Sequence, residues 1–179
     1  MPRSGKSSVC AWASEYYRNI VVYEERFDVV PESMGAGHTY DFNRWYLDDC
    51  VRRLECVPEE GMHVFQRAVN DRQVVGNVLF SLGFWSEREF ENYSAAIADA
   101  RVCVAGKLDI SLLFLMDPEM TLKHTRSKKK SFTRDPVYLR ALFSEYVQLA
   151  PEPLVRALRG EYSLADARAF FAHAVSQPH

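Results

Sequence analysis

Apolar residues recur at two spacings along the chain, and stretches of the two kinds alternate. From Ser7 to about Arg18, the positions Val9, Ala11, Trp12, Tyr16 and Tyr17 fall near helical spacing, and Asn19 is a plausible stop. Ile20-Val21-Val22-Tyr23 is short and β-branched, which predicts a strand. Asp41 to Glu55 predicts a helix packed through Phe42, Trp45, Leu47, Val51 and Leu54. His63-Val64-Phe65 predicts a second strand, and Val74 to Leu82 a helix interrupted by Gly76. Ser86 with Glu89 three residues on is a capping-box signature. It opens a helix to about Val104, with Phe90, Tyr93, Ile97 and Val104 on one side. Ile110 to Met116 is almost wholly apolar, as a buried strand of a parallel sheet should be. Asp117-Pro118-Glu119 and Asp135-Pro136 each open a helix, the second running to about Ala150. Leu154 to Leu158 predicts a last strand and Ser163 to Val175 a terminal helix.

Strands that alternate with helices point to an α/β fold with a parallel sheet. A chain of 179 residues without a repeat or a linker suits a single domain, 1–179. A net charge of -2 gives no overall attraction to nucleic acid or to anionic membranes, so any polyanion site must be local. No apolar run approaches the length of a membrane span, and no secretory leader is recognised. The four cysteines, Cys10, Cys50, Cys56 and Cys103, lack C-x-x-C spacing; buried reduced thiols in a cytoplasmic protein are the expectation.

The candidate chemistry lies at strand ends and helix starts, where open α/β sheets bind ligands. Gly5-Lys6-Ser7 matches the close of a phosphate-binding loop, G-x-x-x-x-G-K-[ST]. Ser4, Gly5, Lys6, Ser7 and Ser8 would surround nucleotide phosphates, with Lys6 on the β- and γ-phosphates and the Ser7 hydroxyl on Mg²⁺. The first glycine of the pattern would fall one position before Met1, and the strand expected before the loop would lie upstream too; a true start upstream, with Met1 internal, is the expectation over an altered, inactive relative. From this follows an expectation of weak ATP affinity for the bare chain, raised by an added upstream strand. Glu32 follows Val29-Val30, where a carboxylate can take a proton from an attacking hydroxyl. Arg67, after the second strand, can stabilise phosphoryl charge, or instead pair structurally with Asp71; Arg72 stands beside them. Lys123, His124, Arg126, Lys128, Lys129, Lys130 and Arg134 form a basic stretch that can close over phosphates, or serve as a solvated face. The five histidines show no metal-ligand spacing.

Together these segments resemble the deoxynucleoside kinases, a branch of the P-loop nucleoside and nucleotide kinases. Val29-Val30-Pro31-Glu32 resembles the family's V-P-E segment. Phe65-Gln66-Arg67-Ala68-Val69 with Asp71-Arg72 resembles its F-E-R-S-V…D-R segment. Ile110 to Glu119 resembles its D-x-I-I-Y-L-x-x-x-P-E segment, and the basic stretch its lid, at about 123–134. The resemblance runs from about Gly5 to Val147. It implies a five-stranded parallel sheet flanked by helices, here without the first, central strand. It implies transfer of the ATP γ-phosphate to a (deoxy)nucleoside 5′-hydroxyl, with Mg²⁺, Glu32 as base and Arg67 on the phosphates. Arg126, Lys128 and Lys130 would contact the nucleotide, and Asn43, Asp71 and Arg72 the acceptor, Asn43 through its base. The sequence departs from the family in Gln66, where an acid helps organise Mg²⁺, in Ala68, and in a lid richer in lysine than arginine. Ser131 and Phe132 stand where an acid would contact the sugar. Alternatives are a kinase for nucleoside monophosphates or another small molecule, or a non-catalytic P-loop relative that binds nucleotide or a partner. A homodimer is a further expectation, and a nucleic-acid role the least favoured.

Overall fold

The computed structural model describes residues 5–25, 29–106, 111–125, 135–149 and 155–176, with the side chains of 124 and 125 outside the description. Ser4, Arg126, Lys128, Lys129, Lys130, Ser131, Phe132 and Arg134 lie outside these residues. The chain divides into two compact units, one formed by 1–20 with 109–179 and the other by 21–108.

The first unit holds α1 (Lys6–Tyr16). It also holds a parallel strand pair and three further helices, which follow the second unit in sequence. That second unit comprises β1 (Ile20–Tyr23, entered at the boundary), α2 (Tyr40–Glu55), β2 (Met62–Phe65), α3 (Val69–Ser81) and α4 (Glu87–Cys103). After it come β3 (Ser111–Leu115), α5 (Pro118–Thr125), α6 (Pro136–Leu149), β4 (Val155–Arg159) and α7 (Leu164–Val175).

In the first unit β3 and β4 run parallel, in register from Ser111 opposite Val155 to Leu115 opposite Arg159. Gly160 N–H donates to Leu115 O at 3.1 Å and extends that ladder by one bond. Leu113, Phe114 and Leu115 are buried, as the continuous apolar run predicts. Asp117 accepts from Glu119 N at 2.8 Å, and Asp135 from Val137 N at 2.7 Å, so an acid with a following proline starts both α5 and α6. Ser163 and Asp166 form a capping box on α7. Trp12 of α1 meets Phe171 of α7 edge-on, with ring centroids 6.4 Å apart, and Arg168 lies 5.6 Å over Trp12.

In the second unit β1 and β2 are hydrogen-bonded neighbours, and Gln66 N–H donates to Tyr23 O at 3.1 Å just beyond them. Tyr23 and Phe65 stack with centroids 4.3 Å apart. Four strands are present among the described residues, as two pairs. The core of this unit lies between α2, α3 and α4. The buried stripe of α2 is Asn43, Tyr46, Leu47, Cys50 and Leu54, with Asp49 beside it. Leu47 and Leu54 fit the expectation, but Phe42, Trp45 and Val51 are only half-buried. The stripe is rotated toward two polar residues that an apolar count passes over. Helix α3 runs unbroken through Gly76 and begins five residues before the expected start. Asp71 accepts from Ala68 N at 3.3 Å and satisfies one open donor of its first turn. Gly76 is there for packing: a Cβ would lie 2.8 Å from the Tyr93 ring and 3.3 Å from Trp85. Ser86 and Glu89 form the expected capping box of α4. Of the cysteines, Cys10 and Cys50 are buried as expected, while Cys56 and Cys103 are exposed; none of the four is in a disulfide. No helix among the described residues is long and apolar enough to cross a membrane.

Candidate active site

Gly5, Lys6 and Ser7 belong to the first unit. Gly5 caps α1 with φ 83° and ψ 0°, a left-handed conformation that a side chain would disfavour, although no atom lies within 4 Å of where a Cβ would stand. Its carbonyl accepts from Val9 N at 2.9 Å, so the helix starts at the Gly-Lys step itself. The first turn, at Lys6, Ser7 and Ser8, carries no acidic residue of its own, and a helix start of this kind favours an anion. Ser7 and Ser8 are exposed. This arrangement fits a phosphate group. No group of three or more His, Cys, Asp or Glu able to hold a metal occurs among the described residues. A Mg²⁺ ion here would have to be held chiefly through phosphate oxygens and water, with Ser7 as the protein ligand.

The second unit carries a charged cluster, built where β1 and β2 end and α3 begins. Arg67 Nη1 donates to Asp71 Oδ1 at 3.1 Å, one helical turn on. Arg67 Nε lies 3.0 Å from Glu25 Oε1, and Arg72 Nη2 lies 3.7 Å from the same oxygen. The structure thus joins three expected residues, Arg67, Asp71 and Arg72, around a fourth, Glu25, that the sequence reading passed over. The signal was present: Glu25 stands two residues past a β-branched strand, at its carboxyl end. Glu25, Arg67 and Arg72 are all largely withdrawn from solvent, where charges must be paired to be tolerated. Arg72 is 3% exposed, and its guanidinium carbon sits 4.4 Å over the Tyr46 ring. Cys50 lies below the cluster and its thiol points to Arg67 O at 3.8 Å. Burial pushes that thiol up to about 11, against the opposing pull of Arg72 and Arg53. Burial likewise pushes the Tyr93 hydroxyl well above its ordinary range; it donates to Arg72 O at 3.4 Å.

Glu32 and Asn43 also belong to this unit. Glu32 begins an exposed 3-10 turn, Glu32–Met34. Asn43 is 1% exposed, and its Nδ2 donates to Gly37 O at 3.0 Å and to Thr39 O at 2.9 Å. Both amide hydrogens hold the loop before α2, which leaves only Oδ1 for a ligand. The Thr39 hydroxyl contacts Met34 O and Ala36 O, and Trp85 Nε1 donates to His38 O at 2.9 Å. The segment that carries Glu32 is therefore tied down along its length by three side chains.

No family model matches the sequence, and no match to a curated protein reaches significance. Solved structures do match. Deoxyadenosine kinase from M. mycoides with bound dATP aligns at a TM-score of 0.78 with 12% identity, over 97% of this chain and 95% of that one. The same enzyme with bound dCTP aligns at 0.75, over 96% and 93%. Thymidylate kinase from Candida albicans aligns at 0.67 with 10% identity, over 98% and 87%. The chain has the fold of these P-loop nucleoside and nucleotide kinases, as the resemblance in sequence implied. At such identities the likeness is one of fold.

Proposed function

We propose that the chain is an ATP-dependent phosphotransferase of nucleoside-kinase type, which moves the γ-phosphoryl group of ATP to the 5′-hydroxyl of a nucleoside. The observation that carries this reading is the Glu25–Arg67 pair at a strand end, in a chain with the nucleoside-kinase fold. Gly5, Lys6 and Ser7, with Ser4 and Ser8, take the phosphate-donor role. Arg126, Lys128 and Lys130 supply further positive charge to the nucleotide. Ser7 would be the protein ligand of a Mg²⁺ ion bound with ATP, which would supply charge neutralisation at the phosphates.

Glu25 accepts the proton of the 5′-hydroxyl as that oxygen bonds to the γ-phosphorus and the bond to the β,γ-bridging oxygen breaks, releasing ADP. Arg67, with its Nε 3.0 Å from Glu25, places positive charge beside the transferring phosphoryl group. Asp71 fixes the far side of that guanidinium. Glu32, one place after the Val-Val-Pro run, is the second candidate for the base; its exposure makes it the weaker one, since a general base gains from a site that excludes water.

The test is γ-phosphate transfer from Mg·ATP across nucleosides and nucleoside monophosphates, for this chain and for Lys6→Ala. Transfer to nucleosides that is lost in Lys6→Ala is the expected result. Faster transfer to monophosphates would assign the chain to the other kinase class, and no transfer to any acceptor would reject the reading.

A further inference from the structure

The end of β1 is held by two hydrogen bonds that run to different neighbours. Tyr23 O accepts from Gln66 N–H at 3.1 Å, just past β2. Glu24 O accepts from Arg53 Nη1 of α2 at 2.8 Å, across 29 residues of sequence. Strand β1 pairs with β2 and with no other strand among the described residues, so the Arg53 bond satisfies a carbonyl that no ladder satisfies. A cleft of about 470 Å³ opens beside it, lined by Val22, Tyr23, Glu24, Arg53 and Cys56. Close packing therefore does not fix Glu24 on that side.

Arg53 is itself constrained. Its side chain is 15% exposed, and its Nε lies 3.5 Å from Asp49 Oδ2, one helical turn back. Its guanidinium carbon lies 5.7 Å from the centre of the Phe65 ring. The bond to Glu24 O is the one hydrogen bond of this guanidinium among the described residues, and Nε is buried without a partner. That is a costly way to place an arginine for stability alone.

We propose that Arg53 is a positioning residue for phosphoryl transfer: by holding Glu24 O, it sets the direction in which Glu25 leaves the strand. The inference rests on the nucleoside-kinase reading with Glu25 as base. The peptide unit from Glu24 to Glu25 is planar, so holding its carbonyl oxygen also orients the N–Cα bond of Glu25. The Glu25 side chain has little else to direct it. Arg67 attracts it by charge, but Oε1 accepts no hydrogen bond. A general base must reach the proton it takes, and a misplacement of about 1 Å can cost about 10²-fold in rate. Arg53 acts through Glu25 and touches neither phosphate nor acceptor.

The experiment is a double-mutant cycle on the full chain, read as the single-turnover rate of phosphoryl transfer and as KM for both substrates. Arg53→Met keeps the stem and removes the donor; Arg53→Lys keeps a charge and a donor. Arg53→Met should lower the rate about 10–100-fold, with both KM values within about twofold of wild type. Arg53→Lys should recover most of the rate. In the Glu25→Gln background Arg53→Met should change the rate no further, which a merely structural arginine would not produce. Should Arg53→Met fail to fold, Arg53→Gln takes its place, since its amide ends two bonds short of Nη1. A wild-type rate in the folded Arg53 variant, beside a slow Glu25→Gln, would overturn the positioning role alone. So would an equal loss in both backgrounds, or a loss confined to KM. A Glu25→Gln variant as fast as wild type, or no transfer by the wild type, would overturn the underlying reading and the proposal with it.

Discussion

Arg67 bridges two carboxylates, Glu25 at 3.0 Å and Asp71 at 3.1 Å, and so ties the end of β1 to the first turn of α3. An ion pair of Arg67 with Asp71 alone would be a structural feature of one helix. The second partner comes from a separate strand and is little exposed. The contact sets Glu25 beside the guanidinium by charge, and its Oε1 accepts no hydrogen bond among the described residues, which leaves that oxygen able to take a proton.

Gly76→Ala should destabilise the protein. Alanine favours a helix by about 1 kcal/mol over glycine. The new methyl would stand 2.8 Å from the ring of Tyr93, a buried side chain packed against Trp85, and overpacking of this kind costs about 1–3 kcal/mol. The clash outweighs the gain, so a net loss of about 1–2 kcal/mol is expected in urea unfolding. Stabilisation would show that Tyr93 can withdraw.

Asn43→Ala should cost about 2–4 kcal/mol, because it strips Gly37 O and Thr39 O of their shared donor and leaves a gap in the buried stripe of α2. Hydrogen exchange should rise at 35–39 before it rises in α4. A loss of nucleoside affinity with unchanged stability would instead mark Asn43 as a direct ligand contact.

Cys50 should be nearly inert to thiol reagents. With its thiol at about 11 against a usual 9.0, its thiolate fraction at pH 8 is about a hundredfold lower than that of an ordinary cysteine. Cys56 and Cys103 should react first, and Cys50 only at the rate of unfolding. The linked stability has a definite sign. The folded thiol is raised above its unfolded value, so its contribution is complete below pH 9.0 and is lost as pH rises toward about 11. Cys50→Ala should flatten the fall in stability over that window, apart from its cavity cost; an unchanged slope would contradict the assignment.

Much of this architecture was legible in the chain. Ser86 with Glu89, and proline after Asp117 and Asp135, mark helix starts by local hydrogen bonding alone, and those starts are found where expected. The Leu112-Leu113-Phe114-Leu115 run reads as a buried strand because no polar face interrupts it. What was not legible depends on long-range packing. Gly76 looks like a helix breaker until Tyr93 is set against it. The buried stripe of α2 includes Asn43 and Asp49, whose burial follows from hydrogen bonds and ion pairs that no apolar count detects. The base is expected at Glu32 from its place after Val29-Val30, and nothing local in the sequence sets Glu25 beside Arg67. Only the meeting of β1 with α3 brings Glu25 to it.

The most direct test of the account is the rate of a single turnover of phosphoryl transfer to the best nucleoside acceptor, compared in wild-type protein, Glu25→Gln and Glu32→Gln. Each variant is to be checked for a native unfolding transition and for unchanged ATP binding. Loss of a general base lowers the rate by about 10²–10⁴-fold. The account predicts a fall of that size in Glu25→Gln, with Glu32→Gln within a few-fold of wild type. A folded Glu25→Gln that turns over at the wild-type rate, or a collapse confined to Glu32→Gln, would contradict it.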